Sequence, residues 1–279
     1  MKYLQVALAA VLLATACPRG ESRIPASSTP PLPAFFTNGD VRLAFTLDLP
    51  SGAGPFPAVV LGHGSGRTTR EFLRFQAAQW TALGFAVLRF DKRGVGESGG
   101  QYVNVGTADS PTVFPRLASD VAAGVRFLRT RPEIDPTRIG LSGWSQAGWI
   151  LPIASRELGG AVRFLVIMSG PVCSVGLEMY YSGFAEETTV PLSDVYPRMG
   201  AFKGPPGFDP VPTLQAIDTP ALWLLGKQDR SIPERNTVAN LEILAAAGKP
   251  FEWKEYDGLD HPLSAAIWQD VGRWVARFK

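Results

Sequence analysis

Short apolar runs alternate with longer amphipathic segments along most of this chain. Residues 43–49 alternate apolar and polar side chains, which predicts a half-exposed edge strand. Continuous apolar runs predict buried strands at 58–61, 85–90, 138–141, 163–168 and 221–225, and a further strand is predicted at 251–256. Because apolar runs of this length need cover on both sides, we expect these strands to share one buried sheet.

Helical segments separate the predicted strands. One contains Phe72, Phe75, Ala78 and Trp80 and ends at Gly84. Others are predicted at 117–129, 149–154, 234–247 and 263–278. Buried strands alternating with helices predict an α/β fold with a mainly parallel sheet covered by helices on both faces.

The segment 171–212 interrupts the alternation, because its apolar and polar residues follow no clear period. It is rich in aromatic residues and leaves the predicted sheet just after Ser169 and Gly170. A loop this long in a compact domain usually has a function. We predict a small lid over a site, and a poorly ordered insertion is the alternative.

The first residues have the features of an export signal. Lys2 is followed by an apolar stretch up to Ala16, which is too short for an ordinary membrane span and suits a signal peptide at 1–16. Small residues before Cys17 resemble a lipoprotein cleavage site, whereas simple cleavage after Ala16 fits equally well. Residues 17–34 are rich in Pro and Ser and predict a tether. Export to the periplasm or cell envelope, or secretion, is therefore expected, with membrane attachment through lipidated Cys17 as one form of it.

Composition and charge narrow the class of protein. The chain has 279 residues, of which 46% are hydrophobic, and a net charge of +2. Residues 35–279 suffice for one α/β domain, and the balanced charge gives no basis for nucleic-acid binding. The two cysteines, Cys17 and Cys173, predict no disulfide framework, and Cys173 is interpreted as a buried thiol.

Ser145 lies between a predicted strand and a predicted helix, within the segment 143–148 (GWSQAG). A small residue two positions before a serine and another two positions after it is the nucleophile-elbow pattern. Such a turn strains the serine and exposes its hydroxyl at the carboxyl edge of the sheet. Ala147 stands where the pattern usually has glycine, and we interpret its methyl group as tolerated. Ser145 is predicted to be a nucleophile.

A serine nucleophile needs a base and an acid that orients the base. The chain has two histidines, and His261, on a loop before the last predicted helix, is the predicted base. Asp229, which follows the strand at 221–225, is the predicted acid. Asp257 is a weaker alternative, and Asp260 is next to His261 in sequence, where neighbouring side chains diverge.

The second histidine lies in a glycine-rich segment, His63-Gly64-Ser65-Gly66, directly after a predicted strand. Glycines let a backbone approach a ligand closely. We predict an oxyanion hole formed by the backbone N–H groups of Ser65 and Gln146, with His63 and Gly64 contributing to binding.

Together with Asp91-Lys92-Arg93-Gly94-Val95-Gly96-Glu97-Ser98, these motifs resemble the α/β-hydrolase superfamily over residues 40–279. The chain looks most like exported bacterial serine esterases related to prolyl-oligopeptidase-type catalytic domains. The resemblance implies a Ser–Asp–His triad, no metal and no organic cofactor. Asp91, Arg93 and Ser98 are interpreted as structural loop residues.

The predicted activity is hydrolysis of small-molecule carboxylic esters through an acyl-enzyme. An aminopeptidase or acyl-amide hydrolase on the same fold is a rival, for which Glu186 and Glu187 are the candidate amine-binding carboxylates. A non-catalytic envelope lipoprotein that keeps the fold is a rival from another class. Acyl preference and oligomeric state do not follow from the sequence.

Overall fold

A computed structural model describes residues 34–187 and 189–279. The predicted signal peptide, Cys17 and all but the last residue of the predicted tether lie outside the described residues. Within the ranges described, no helix has both the length and the apolar character needed to cross a membrane.

The structure contains one eight-stranded sheet, and it confirms the predicted mainly parallel arrangement. The strands are β1 (Ala34–Asn38), β2 (Val41–Asp48), β3 (Phe56–Gly62), β4 (Ala86–Phe90), β5 (Ile134–Trp144), β6 (Leu165–Met168), β7 (Ala221–Gly226) and β8 (Phe251–Tyr256). Their order across the sheet is β1-β2-β4-β3-β5-β6-β7-β8. The strands from β3 to β8 are parallel, whereas β2 is antiparallel to both β1 and β4.

Helices cover both faces of the sheet, as predicted. They are α1 (Arg74–Ala82), α2 (Ser110–Leu128), α3 (Ala147–Leu158), α4 (Val175–Ala185), α5 (Leu192–Val195), α6 (Val211–Gln215), α7 (Glu234–Ala246) and α8 (Ile267–Val275). Apolar side chains of α2, α3, α6 and α7 pack on one face, and those of α1 and α8 pack on the other. Both faces of the sheet are therefore shielded from solvent, which explains why the parallel strands are continuous apolar runs in the sequence.

One local prediction was wrong. The strand predicted at 43–49 as an edge strand is β2, and it lies inside the sheet because β1, which the sequence did not reveal, forms the edge. The burial of β2 does not follow the alternation of its sequence, because its two buried residues, Leu43 and Ala44, are consecutive. The helical segment predicted after β3 is present, and its buried face is formed by Leu73, Ala77 and Trp80, whereas Phe72 and Phe75 are exposed.

The segment 171–212 is helical in part. It contains α4, α5, a 3₁₀ turn at Tyr196–Ala201 and the start of α6. Tyr181, Ala185, Val195 and Met199 pack together as a small apolar cluster of its own. The segment is thus a compact insertion at the carboxyl edge of the sheet, and its movement as a lid stays a prediction.

Candidate active site

Ser145 lies in the tight turn between β5 and α3. Its φ angle is 57°, in the left-handed region that residues other than glycine rarely adopt. The backbone N–H of Ser145 donates to the carbonyl of Met168 over 2.9 Å, and its own carbonyl accepts from Gly148 over 2.8 Å. Strain of this kind costs on the order of 1–3 kcal/mol and is found mainly where function requires it.

The small residues around Ser145 are required by close packing. A Cβ atom on Gly143 would lie 2.5 Å from the Cβ of Ala147, and one on Gly148 would lie 2.8 Å from the Cα of Gly170. The methyl group of Ala147 therefore fits only because residue 143 is glycine. This contact explains how alanine replaces the usual second glycine of the motif.

Asp229 and His261 are joined by a hydrogen bond of 2.8 Å between the Oδ2 and Nδ1 atoms. Asp229 follows β7 and is 2% exposed. Its other carboxylate oxygen accepts from the backbone N–H groups of Ser231 and Ile232 over 2.9 and 2.8 Å. Since the carboxylate can only accept, Nδ1 of His261 carries a proton, and Nε2 is left to act as a base.

The two alternative acids have other partners. Asp260 accepts from the backbone N–H of His261 over 2.6 Å and from that of Arg230 over 3.3 Å. Asp257 forms an ion pair with Lys227 at 3.0 Å. Neither carboxylate contacts the imidazole of His261, so the geometry favours Asp229 as the acid.

Ser145 and His261 are brought to one place by the end of β6. Met168 accepts the N–H of Ser145, and the next residue, Ser169, donates its hydroxyl to the carbonyl of His261 over 2.9 Å. The ring of Trp144 lies 5.4 Å from that of His261. Among the described residues no hydrogen bond joins the hydroxyl of Ser145 to His261. The catalytic roles of Ser145, Asp229 and His261 therefore stay predictions.

The glycine-rich segment 63–66 follows β3 beside the turn at Ser145. In the described part of the chain, the N–H groups of Ser65 and Gln146 have no hydrogen-bond partner. Gly64 leaves room for close approach, since a Cβ there would lie 3.6 Å from that of Ser145. Two unpaired backbone donors near one serine suit an oxyanion hole, and that role stays a prediction.

His63 occupies a different environment from the one its motif suggests. Its ring is buried, and Nε2 donates to the carbonyl of Phe90 over 2.6 Å. Burial, assisted by the charge of Lys92, lowers the pKa of His63 to about 3. The ring is therefore a neutral core group, and only the backbone of this residue remains available for the predicted binding role.

A cavity of about 340 Å³ lies between the predicted oxyanion segment and α1. Its lining includes Gly64 and Ser65, the apolar side chains of Leu73 and Met168, and the elbow residue Trp144. A smaller cavity of about 80 Å³ continues past Trp144 and Met168 toward α8. Both cavities are largely apolar and share Gln76, Trp144 and Met168, and Trp144 is the residue before the predicted nucleophile, as expected for a small-molecule site nearby.

The insertion contacts the carboxyl edge of the sheet at the candidate acid and at the residue that follows it. Tyr181 on α4 donates to the backbone carbonyl of Asp229 over 2.7 Å. The guanidinium of Arg230 donates to the carbonyls of Ala185 and Val190 over 2.7 and 3.1 Å. Burial raises the pKa of Glu178, also on α4, to about 8, and the charges of Glu186 and Asp229 add to this.

Three contributors escaped the sequence analysis: Ser169, Tyr181 and Lys92. The position of Ser169, between an apolar strand and Gly170, was a usable signal, because polar residues at the carboxyl ends of parallel strands often line a site. Tyr181 contacts a backbone carbonyl, and two of the three acceptors of Lys92 are backbone carbonyls, which leave no signal in a sequence. In the described ranges, no group of three or more His, Cys, Asp or Glu side chains is arranged to hold a metal ion.

Comparison with known proteins places the chain in a family. Residues 71–277 match the prolyl oligopeptidase family. The chain belongs to this family. It accordingly has the α/β-hydrolase fold, which confirms the resemblance seen in the sequence.

Individual relatives match only part of the chain. The quorum-quenching protein AidA of Acinetobacter baumannii is 32% identical over 135 residues, which are 46% of this chain and 40% of that protein. The mitochondrial acyl-coenzyme A thioesterase 2 of Rattus norvegicus is 30% identical over 158 residues, 55% of this chain and 30% of the relative. The chain thus spans less than half the length of these curated relatives.

Solved structures match more completely. An esterase of Pyrococcus furiosus aligns with a TM-score of 0.65 and 22% identity, over 88% of this chain and 90% of that one. Est1E from Butyrivibrio proteoclasticus, solved with ferulic acid bound, aligns with a TM-score of 0.61 and 16% identity, over 88% of this chain and 97% of that one. At these identities the likeness shows the fold.

Proposed function

We propose that this protein hydrolyses carboxylic esters through an acyl-enzyme intermediate. The observation that carries the proposal is the 2.8 Å hydrogen bond between Asp229 and His261, at the same sheet edge as the strained turn of Ser145. A buried carboxylate that fixes one ring nitrogen leaves the other nitrogen to activate a serine. The esterase and thioesterase names among the similar proteins support acyl transfer.

In the proposed reaction, Oγ of Ser145 attacks the acyl carbon while its proton moves to Nε2 of His261. The oxyanion of the tetrahedral intermediate accepts from the N–H groups of Ser65 and Gln146. His261 then protonates the departing alcohol, and the acyl-enzyme forms. A water molecule repeats the sequence: His261 takes its proton, the acyl carbon is attacked again, and the proton returns to Ser145 as the carboxylic acid leaves.

The apolar cavity is the proposed site of the acyl group. At about 30 Å³ for each water-sized group, the cavity of about 340 Å³ holds on the order of ten non-hydrogen atoms. A panel of p-nitrophenyl esters should therefore show kcat/KM rising with acyl length and falling once this size is exceeded. Leu73→Trp fills part of the cavity and should move the optimum to shorter acyl groups.

The decisive experiment compares the wild-type protein with Ser145→Ala on a short-chain p-nitrophenyl ester. We expect Ser145→Ala to lose turnover by at least about a thousandfold and to lose labelling by a fluorophosphonate probe. Ser51→Ala, on an exposed loop, is the matched control and should behave as wild type. Retained turnover in Ser145→Ala would show that the proposed nucleophile is wrong.

The rival activities make different predictions in the same assays. An aminopeptidase would prefer aminoacyl amides over simple esters, and a non-catalytic lipoprotein would not react with the fluorophosphonate. Glu186 and Glu187, the candidate amine-binding pair, are both exposed, and neither contacts the candidate triad in the described residues. The structure gives no specific support for either rival.

Export to the cell envelope, with or without lipidation of Cys17, accompanies this proposal and rests on the sequence of the first 17 residues. An ester hydrolase outside the cytoplasm would act on small molecules before they enter the cell. Mass spectrometry of the mature protein from its native host tests the proposal. A diacylglyceryl group on Cys17 supports a lipoprotein, a mature terminus at Cys17 without lipid supports secretion, and an intact Met1 contradicts both.

A further inference from the structure

Lys92 is a buried cation that the proposed reaction does not use. It follows β4 by two residues and is 3% exposed. Its ammonium donates to the carbonyl of Gly64 over 2.9 Å, to the carbonyl of Gly66 over 3.3 Å and to Oε1 of Gln146 over 2.8 Å. An ammonium has three donors, so its hydrogen-bonding capacity is filled.

All three acceptors belong to the two segments that carry the predicted oxyanion donors. The carbonyl of Gly64 and the N–H of Ser65 are the two polar groups of one peptide unit. Because a trans peptide is planar, its carbonyl and its N–H point in opposite directions. Anchoring the Gly64 carbonyl to Lys92 therefore fixes the direction in which the Ser65 N–H points.

The other contact reaches the second donor. Lys92 holds the side chain of Gln146, whose backbone N–H is the donor that follows the nucleophile in sequence. A hydrogen bond to a carbonyl also polarises the attached amide and makes its N–H a stronger donor. One side chain thus connects the loop after β3 with the turn after β5 and places a positive charge behind both.

We propose that Lys92 is a positioning residue that assembles and polarises the oxyanion hole through the carbonyl of Gly64 and the side chain of Gln146. It does not touch the substrate. The inference rests on the proposed function, because it assigns a task to Lys92 within that reaction. It identifies a residue that neither the nucleophile-elbow pattern nor the triad includes.

The surroundings of Lys92 decide how this contribution depends on pH. Burial lowers the pKa of Lys92 to about 8. Its neighbours include His63, which is neutral above pH 4, and the hydrogen-bonded pair of Arg93 and Asp120. The ring of Tyr102 lies 5.9 Å from the ammonium and is also in contact with the guanidinium of Arg67. No carboxylate among these is free to hold the proton on Lys92, so its charge is lost as pH rises through about 8.

The test compares Lys92→Met and Lys92→Arg with wild type, and Lys249→Met, at the opposite edge of the sheet, is the control. Lys92→Met should lower kcat by about tenfold to a hundredfold with little change in KM, because an oxyanion interaction exists only in the transition state. Wild-type kcat should fall as pH rises through about 8. Lys92→Arg keeps its charge and should move this alkaline limb upward, whereas Tyr102→Phe should leave it in place.

A purely structural role is distinguished by two inhibitors. A trifluoromethyl ketone forms a tetrahedral adduct with serine, and its affinity should fall in Lys92→Met in proportion to kcat/KM. A non-hydrolysable ether analogue of the ester should bind Lys92→Met as it binds wild type. Any one of three results would overturn the inference. The first is that Lys92→Met changes the affinities for both inhibitors equally, and the second is that its kcat is unchanged. The third is that the alkaline limb of the pH profile does not move in Lys92→Arg.

A second variant, together with the result for Ser145→Ala, distinguishes a failure of the Lys92 inference from a failure of the proposed function. If Lys92→Met does not fold, Gln146→Met removes one acceptor of Lys92 while keeping the backbone donor, and it should lower kcat by a smaller factor with KM unchanged. Wild-type kcat in Gln146→Met would then count against the inference. If Ser145→Ala retains activity, the proposed function itself is contradicted. If Ser145→Ala loses activity while the Lys92 and Gln146 variants behave as wild type, only the role of Lys92 is contradicted.

Discussion

The hydroxyl of Ser169 donates a 2.9 Å hydrogen bond to the backbone carbonyl of His261. Ser169 is fully buried and has a φ angle of 45°, so the residue after β6 is strained, as Ser145 is. The preceding residue, Met168, accepts the N–H of Ser145. The end of β6 therefore holds the turn of the proposed nucleophile and the loop of the proposed base at one place.

Replacing Ser169 should separate these two loops. In Ser169→Ala the carbonyl of His261 loses its donor, and we expect kcat to fall by about tenfold and the free energy of unfolding by about 1 kcal/mol. Steady-state kinetics and urea unfolding measure the two effects. Ser169→Gly also lacks the hydroxyl but adopts this φ angle without strain, so activity restored in this variant would show that the hydrogen bond acts only by holding the strained backbone.

The two neighbouring aspartates make a second prediction. Asp229→Asn should lower kcat by about a thousandfold or more, because an amide no longer fixes the tautomer of His261. Asp260→Asn removes the charge but keeps an oxygen that can accept from the backbone N–H groups of His261 and Arg230, so it should cost less than about tenfold. The comparison uses the same ester for both variants. Similar losses in the two would mean that the acid has been wrongly assigned.

The contact between Gly143 and Ala147 predicts a repairable defect. Gly143→Ala places a Cβ atom 2.5 Å from that of Ala147, and we expect destabilisation of about 1–3 kcal/mol with loss of activity. The double variant Gly143→Ala with Ala147→Gly removes this clash and should recover part of the stability and part of the activity. Recovery is only partial because the new Cβ atom still lies 3.0 Å from the carbonyl oxygen of Gly62. A double-mutant cycle measures the coupling. Additive effects would contradict the packing explanation.

Much of this arrangement could be predicted from the sequence because its signals are local. The apolar runs identified the parallel strands, and the spacing of small residues around Ser145 identified the turn. The edge strand β1 was missed because its five residues directly follow the Pro/Ser-rich segment and bury only Phe36 well. Phe72 and Phe75 were expected within an ordinary helix, yet they are exposed beside the cavity, which the apolar character of a residue does not reveal.

The contacts that the sequence could not supply run through the backbone. Lys92 binds the backbone carbonyls of Gly64 and Gly66, and Tyr181 binds that of Asp229, so these contacts do not depend on a recognisable side chain. His63 shows the converse case, because its glycine-rich motif is easy to read while its ring faces the core. The direction of a side chain that follows a strand depends on the path of the loop and on contacts distant in sequence. For His63 that contact is the hydrogen bond to the carbonyl of Phe90.

His63 makes the fold sensitive to acid. Its pKa is about 3 in the folded protein against 6.5 for an exposed histidine, so the unfolded state gains a proton first as pH falls. Stability from this group is present above pH 6.5 and is lost progressively below it, by about 3 kcal/mol at pH 4. In His63→Gln the loss of unfolding free energy between pH 7 and pH 4 should be smaller by this amount. Ser51→Ala, on an exposed loop, is the control and should retain the wild-type loss.

Arg230 links the insertion to the candidate acid and predicts how the segment 171–212 behaves. Its guanidinium binds backbone carbonyls on both sides of the turn after α4, and its own N–H is bound by Asp260. Arg230→Ala should therefore speed proteolysis within 171–212 and raise KM more than it lowers kcat. Arg198→Ala is the matched control, because Arg198 lies in the same insertion and its guanidinium covers the ring of Phe184, with no hydrogen bond to a backbone carbonyl in the described residues.

The same cleavage assay tests the predicted lid. A segment that closes over bound substrate should be cut more slowly in the presence of a trifluoromethyl ketone, and this protection should weaken in Arg230→Ala, which loosens the insertion at its attachment. Identical cutting of 171–212 with and without the inhibitor would leave the insertion as a fixed wall of the site. In that case Arg230→Ala should change KM without any dependence of proteolysis on the ligand.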